Sequence, residues 1–261
     1  MSEAVVLLGR STLWLWHEFV ALLVLLERTA RDMLYRRVER GAVLRFAFAF
    51  TNHSLFFIAL TLGFVGMIMT FQGCFQAKRI LGDMTLIGPG FLQLIVREFG
   101  PTIGGLMLAT RVGAGIAAEL GSMTVTEQID ALRMNGADPV HYLVVPRVYA
   151  GVVAMLTLGI LGGAVMFVTG GLTAYSAFGV GLKTFFDVRM VGWLDVISFL
   201  HKCAVYGVVI PLVAARAGLA ARGGSEGVGS ATTRAVIECS LWILIFDLGI
   251  GAFYFMLGRV I

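Results

Sequence analysis

Thirty-two consecutive residues, from Phe46 to Ala77, contain no Asp, Glu, Lys or Arg. About 20 apolar residues cross the ~30 Å hydrocarbon core of a bilayer as a helix. A second charge-free run, Val148 to Leu182, is 35 residues long. Three further apolar segments, about 91–118, 191–215 and 235–258, carry a few charges each. The expected fold is therefore an all-α polytopic membrane protein with about five transmembrane helices. Composition agrees: 58% of the 261 residues are hydrophobic and 14% charged, against ~25% charged in soluble proteins. Mean hydropathy is +0.89. These values exclude a disordered chain, a nucleic-acid-binding basic protein and an ordinary soluble enzyme. Thirty-three glycines point to closely packed helices.

The amino-terminal stretch 1–45 reads as a separate amphipathic, interfacial segment, and 46–261 as the five-span domain. Trp14, Trp16, Phe19 and the run Leu22 to Leu26 precede Arg28, Arg31, Arg36, Arg37 and Arg40, a pattern suited to a helix in the headgroup layer. A first true span is the alternative. No small-residue cleavage site follows the short apolar run, so no cleavable signal peptide is expected. Gly88-Pro89-Gly90 is expected to break the chain before the second segment, and 216–234, rich in Gly and Ser, to form a loop. Thr124 to Glu127 has the spacing of a capping box, and Asn135-Gly136 with Pro139 gives a stop. A polar-sided helix at about 124–136 should therefore lie between the second and third spans.

Lysine and arginine placement sets orientation. Thirteen of the 20 fall on the side holding residues 1–45, the capped helix and the 216–234 segment. That side is expected to be cytoplasmic, which puts the amino terminus inside and the carboxyl terminus outside.

Chemistry-bearing motifs are few. Gly179 to Thr184 lacks the glycine that precedes the lysine of a phosphate loop. The four histidines have no paired metal-ligand spacing, so no metal is expected. Cys74, Cys203 and Cys239 are far apart in apolar surroundings and read as buried thiols. Any energy source must come from another chain or an ion gradient. Charges inside spans are costly and normally face a partner or cavity; Arg97, Glu98, Asp195, Lys202, Glu238 and Asp247 are of this kind. They could line a polar cavity or relay, or pair locally, for instance Asp195 with Lys202. Gly105, Ala109, Gly113, Ala117 and Gly121 recur every four residues, which makes one flat helix face for close packing.

Arg97-Glu98-Phe99-Gly100-Pro101, Arg111-Val112-Gly113-Ala114-Gly115, Ala118 to Gly121, Thr126-Glu127-Gln128 and Ala137-Asp138-Pro139 closely resemble the MlaE/YrbE permeases. Ala231 to Arg234 with Asp247 extends the likeness. These permeases are membrane subunits of Mla- and Mce-type ABC lipid transporters. The resemblance covers about residues 40–258; its most specific block is 97–147, and the first forty residues match in character only. It implies a homodimer of five-span subunits in the bacterial inner membrane. It implies that the 124–136 helix is a coupling helix seated on a cytoplasmic ATPase, which binds the ATP and Mg that this chain lacks. It also implies an outer MCE-domain partner and a transport, not enzymatic, role.

On that basis Glu127, Gln128, Asp130 and Arg133 are expected to contact the ATPase, as polar side chains on the coupling helix. Gly105, Ala109, Gly113 and Ala117 are expected to pack against another helix. A lipid cavity is expected between two copies, lined by Phe71, Gln72, Arg97 and Glu98. Those four combine apolar area with hydrogen-bonding and charged groups of comparable depth, although Arg97 and Glu98 could instead only neutralise one another or a neighbouring span. The other function class left open is an ion-coupled secondary transporter or channel using the intramembrane carboxylates.

Overall fold

The computed structural model describes residues 20–36, 38–80 and 84–260. It is all-helical among those residues, and five helices are long and apolar enough to cross a membrane. A short helix α1 covers 20–35. The spans are α2 (Arg40–Ile80), α3 (Ile87–Val125), α5 (Val140–Phe178), α7 (Trp193–Leu219) and α8 (Gly224–Val260), with α4 (Gln128–Met134) and α6 (Leu182–Phe185) between them. Trp14, Trp16 and Phe19 lie outside the described residues.

Helix α2 has 41 residues, about 60 Å at 1.5 Å per residue, so it tilts or extends beyond the hydrocarbon. It packs along α5 as the most extensive helix pair. The reason is close approach. A Cβ on Gly66 would run into the Met166 carbonyl, and the Thr169 hydroxyl donates to the Gly63 carbonyl at 2.9 Å. Helix α5 also packs on α7, and α8 packs on α3 and α7. Cys74, Cys203 and Cys239 are free and buried.

Several boundaries differ from those the sequence suggested. Gly88-Pro89-Gly90 does not precede α3 but forms its first turn, where proline removes no intrahelical bond. The 216–234 segment is not a loop. Helix α7 runs to Leu219, and α8 starts at Gly224 after a turn with Gly223 and Gly224 at φ +89° and +71°. Glycine and serine are weak helix formers, but here packing overrides propensity: Gly121 of α3 lies against Ala221 and Val228. The capping box is absent. The Thr124 hydroxyl donates back to the Leu120 carbonyl at 2.7 Å, and Glu127 sits at φ +60° with no side-chain cap. The helix is thus seven residues, Gln128–Met134, rather than 124–136.

The four-residue stripe of α3 turns inward. Ala109 and Ala117 are fully buried. Gly105 meets Tyr206 and Ile243, and Gly113 meets Cys239 and Ile210, so α7 and α8 of the same chain cover the stripe. A Cβ on Gly113 would sit 3.6 Å from both neighbours, an ordinary contact, whereas one on Gly207 would lie 2.5 Å from the Val152 Cα. Gly113→Ala should therefore leave thermal unfolding of the detergent-solubilised protein unchanged. Gly207→Ala and Gly113→Leu should each destabilise it by about 1–3 kcal/mol. Equal melting of Gly113→Ala and Gly207→Ala would contradict the backbone contact.

Candidate functional site

The polar centre of the molecule begins with a proline. Pro101 has no N–H, so the Arg97 carbonyl lacks its ordinary donor four residues on. The helix answers with a π-helical segment at Ile95–Phe99, a distortion that recurs at functional sites. The freed Arg97 carbonyl accepts a hydrogen bond from Lys202 Nζ of α7 at 2.9 Å. The Lys202 side chain is fully buried, and its other contacts are Glu98 Oε2 and Asp247 Oδ1, each at 2.7 Å. Three donors thus meet three acceptors. Asp247 Oδ1 of α8 also accepts from the Tyr206 hydroxyl at 2.7 Å and the Thr102 hydroxyl at 2.8 Å. One carboxylate and one ammonium tie α3, α7 and α8 together. The pairing suggested for Asp195 with Lys202 does not occur: seven residues of helix separate them by about 10 Å along the axis.

Asp195 belongs instead to a neighbouring group. Its Oδ2 accepts the Gly192 N–H at 2.9 Å, closing the first turn of α7, and the Gln93 amide at 3.2 Å. Its Oδ1 pairs with Arg97 Nε at 3.3 Å. Arg97 and Glu98 therefore do not neutralise each other; each has its own partner on α7. A cavity of about 320 Å³ opens beside this group, at the end of the bundle opposite α4. Phe71 and Gln72 lie elsewhere. Both are exposed on α2, where the Phe71 ring meets Phe178 of α5 edge-on at 5.3 Å. Within one chain, Phe71 packs on α5 while Arg97 and Glu98 make their ion pairs on α7. The sequence reading missed Tyr206 and Thr102, which carry no charge; Pro101 four residues after Arg97 was the one available signal of an unpaired carbonyl.

At the other end, α4 is exposed. Glu127, Gln128, Asp130 and Arg133 all face outward, with Arg133 Nη1 2.9 Å from Asp130 Oδ1, while Ile129 is buried. Beside α4 a groove of about 740 Å³ runs to the α7–α8 turn, lined by Glu127, Asp130, Arg133 and Arg222 among others. The adjoining helix ends are held by ion pairs. Buried Arg147 of α5 binds Glu119 of α3 at 2.7 Å and stacks on Phe46 of α2 at 4.4 Å. Glu238 of α8 takes Arg234 at 2.6 Å and Arg216 of α7 at 3.4 Å. In sequence α4 sits between the end of α3 and the start of α5.

Residues 43–253 match the family described as Permease MlaE. The chain belongs to this family. A probable ABC transporter permease protein of Synechocystis is 39% identical over 246 residues, covering 91% of each chain. The intermembrane phospholipid transport system permease protein MlaE of Haemophilus influenzae is 33% identical, over 78% of this chain and 79% of its own. The Arabidopsis chloroplastic protein trigalactosyldiacylglycerol 1 is 35% identical over 75% of this chain and 56% of its own. As an MlaE-family permease the chain is a multi-pass membrane transport subunit, and the match contains both the polar centre and α4.

Proposed function

We infer that this permease moves phospholipid as the membrane subunit of an ABC transporter, and that ATP is hydrolysed by a separate cytoplasmic ATPase. The observation that carries the reading is a short exposed polar helix set between two spans, in a chain matching the permease family over residues 43–253. A stand-alone ion-coupled carrier has no need of such a helix. The intramembrane carboxylates Glu98, Asp195, Glu238 and Asp247 are moreover each paired with a cation, which suits a structural network better than a proton relay.

In this reading the α4 end lies in the cytoplasm of a bacterial inner-membrane protein, with the amino terminus inside and the carboxyl terminus outside. Glu127, Gln128, Asp130 and Arg133 contact the ATPase, which holds ATP and Mg. Two copies of the permease assemble, and lipid occupies a cavity between them that includes Phe71, Gln72, Arg97 and Glu98. An MCE-domain protein on the outer side exchanges lipid with it. ATP-driven closure of the ATPase displaces α4, and the rigid spans α3 and α5 carry that displacement to the opposite end, shifting the population between two cavity widths.

Two measurements on the complex from native membranes test this. The tagged chain should retain an ATPase through purification, and photo-crosslinkers at positions 72 and 98 should capture phospholipid. Loss of any ATPase, together with crosslinks to protein alone at both positions, would overturn the reading.

A further inference from the structure

We propose that the outer cavity within each subunit is a headgroup site for phospholipids that carry both a phosphate and an ammonium, in preference to net-anionic ones. This rests on the lipid-transport reading above and names its substrate class. The cavity of about 320 Å³ is lined by Gln93, Arg97, Trp193, Asp195, Ser198 and Tyr254, from α3, α7 and α8. That volume is at the small end of ligand pockets, so it suits a headgroup with its chains left outside. Arg97 engages Asp195 through Nε only. Its terminal amino groups remain for a phosphate, the ligand that a planar guanidinium fits best.

The surrounding charge favours a zwitterion. Arg97 and Lys202 face Asp195, Glu98 and Asp247, a formal excess of one negative charge. A headgroup with no ammonium would add a second. An ammonium instead cancels the phosphate's charge and leaves the excess at one. Asp195 accepts two hydrogen bonds, both on Oδ2, and holds Arg97 by an ion pair on Oδ1, which leaves capacity on Oδ1 for a further donor. Trp193, 76% exposed, and Tyr254 add aromatic faces, which attract cations.

The test uses the complete transporter in nanodiscs containing equal phosphatidylethanolamine and phosphatidylglycerol, each photoactivatable in turn. Phosphatidylethanolamine should crosslink to the segment around Trp193 or Tyr254 several-fold more than phosphatidylglycerol. Trp193→Leu, at an exposed position that leaves the fold intact, should lower that ratio about two- to fivefold, and Asp195→Asn should lower it further. Soluble glycerophosphoethanolamine should compete weakly, and full competition at equal concentration would overturn the lipid assignment. Equal crosslinking of the two lipids here, or a ratio unmoved by Trp193→Leu, would overturn the headgroup site while leaving lipid transport standing. Absence of either lipid from the whole complex would overturn the transport reading itself.

Discussion

Lys202→Met should be the most destabilising single substitution in the polar centre. It removes a fully buried ammonium and leaves Glu98 and Asp247 as neighbouring carboxylates without their shared cation, and it orphans the Arg97 carbonyl that Pro101 cannot serve. Breaking a buried charge pair from one side costs about 3–5 kcal/mol, and an unsatisfied buried carbonyl adds about 1–3 kcal/mol. Asp247→Asn should be mild by comparison. Its amide oxygen still accepts from Thr102 and Tyr206, and Lys202 keeps Glu98. The double variant Lys202→Met with Asp247→Asn should recover part of the loss, because it relieves the repulsion between the two carboxylates. Thermal unfolding in detergent, followed by size-exclusion chromatography, reads all three. A Lys202→Met protein that melts with the parent, or no recovery in the double variant, would show that the network does not hold α3, α7 and α8 together.

The second large effect should come from α4. Gln128→Ala with Arg133→Ala removes two exposed side chains from a helix anchored by buried Ile129. The bundle should fold and melt normally. A hot-spot side chain at the centre of an interface costs about 2 kcal/mol or more when truncated, so with Gln128 or Arg133 in that role affinity for the ATPase should fall about tenfold or more. Transport should fall at least in parallel, with the ATPase's own hydrolysis intact. Undiminished ATPase binding and transport in this variant would remove α4 from the coupling path.

What could be read without coordinates follows the reach of each signal. The charge-free runs located α2 and α5 because hydrocarbon tolerates little else over that length. The flat face at Gly105, Ala109, Gly113 and Ala117 was legible because a helix repeats in space at fixed sequence spacing. The partners of the buried charges were not. Lys202 meets residues 104 and 45 positions away, Glu98 and Asp247, and no local spacing encodes that. Nor did local rules find the true start of α8, since tertiary contact with α3 outweighs the poor helix propensity of residues 223–230. Thr124 and Glu127 have the letters of a capping box, yet the left-handed backbone at Glu127 uses them to turn the chain instead. In the site itself, the sequence singled out Arg97 and Glu98 as unusual. It placed Phe71 and Gln72 at a comparable depth, but depth along a span does not tell which helix face a side chain occupies or which neighbour it meets.

The most direct measurement is ATP-dependent transfer of fluorescent phospholipid in proteoliposomes that contain the permease with its ATPase and outer partner. Transfer should require hydrolysable ATP, should fall to background when the permease is omitted, and should drop at least tenfold with Gln128→Ala and Arg133→Ala present together. Transfer that proceeds at full rate without the permease, or that follows an imposed proton gradient rather than ATP, would contradict the assignment of this chain as an ATPase-driven lipid permease.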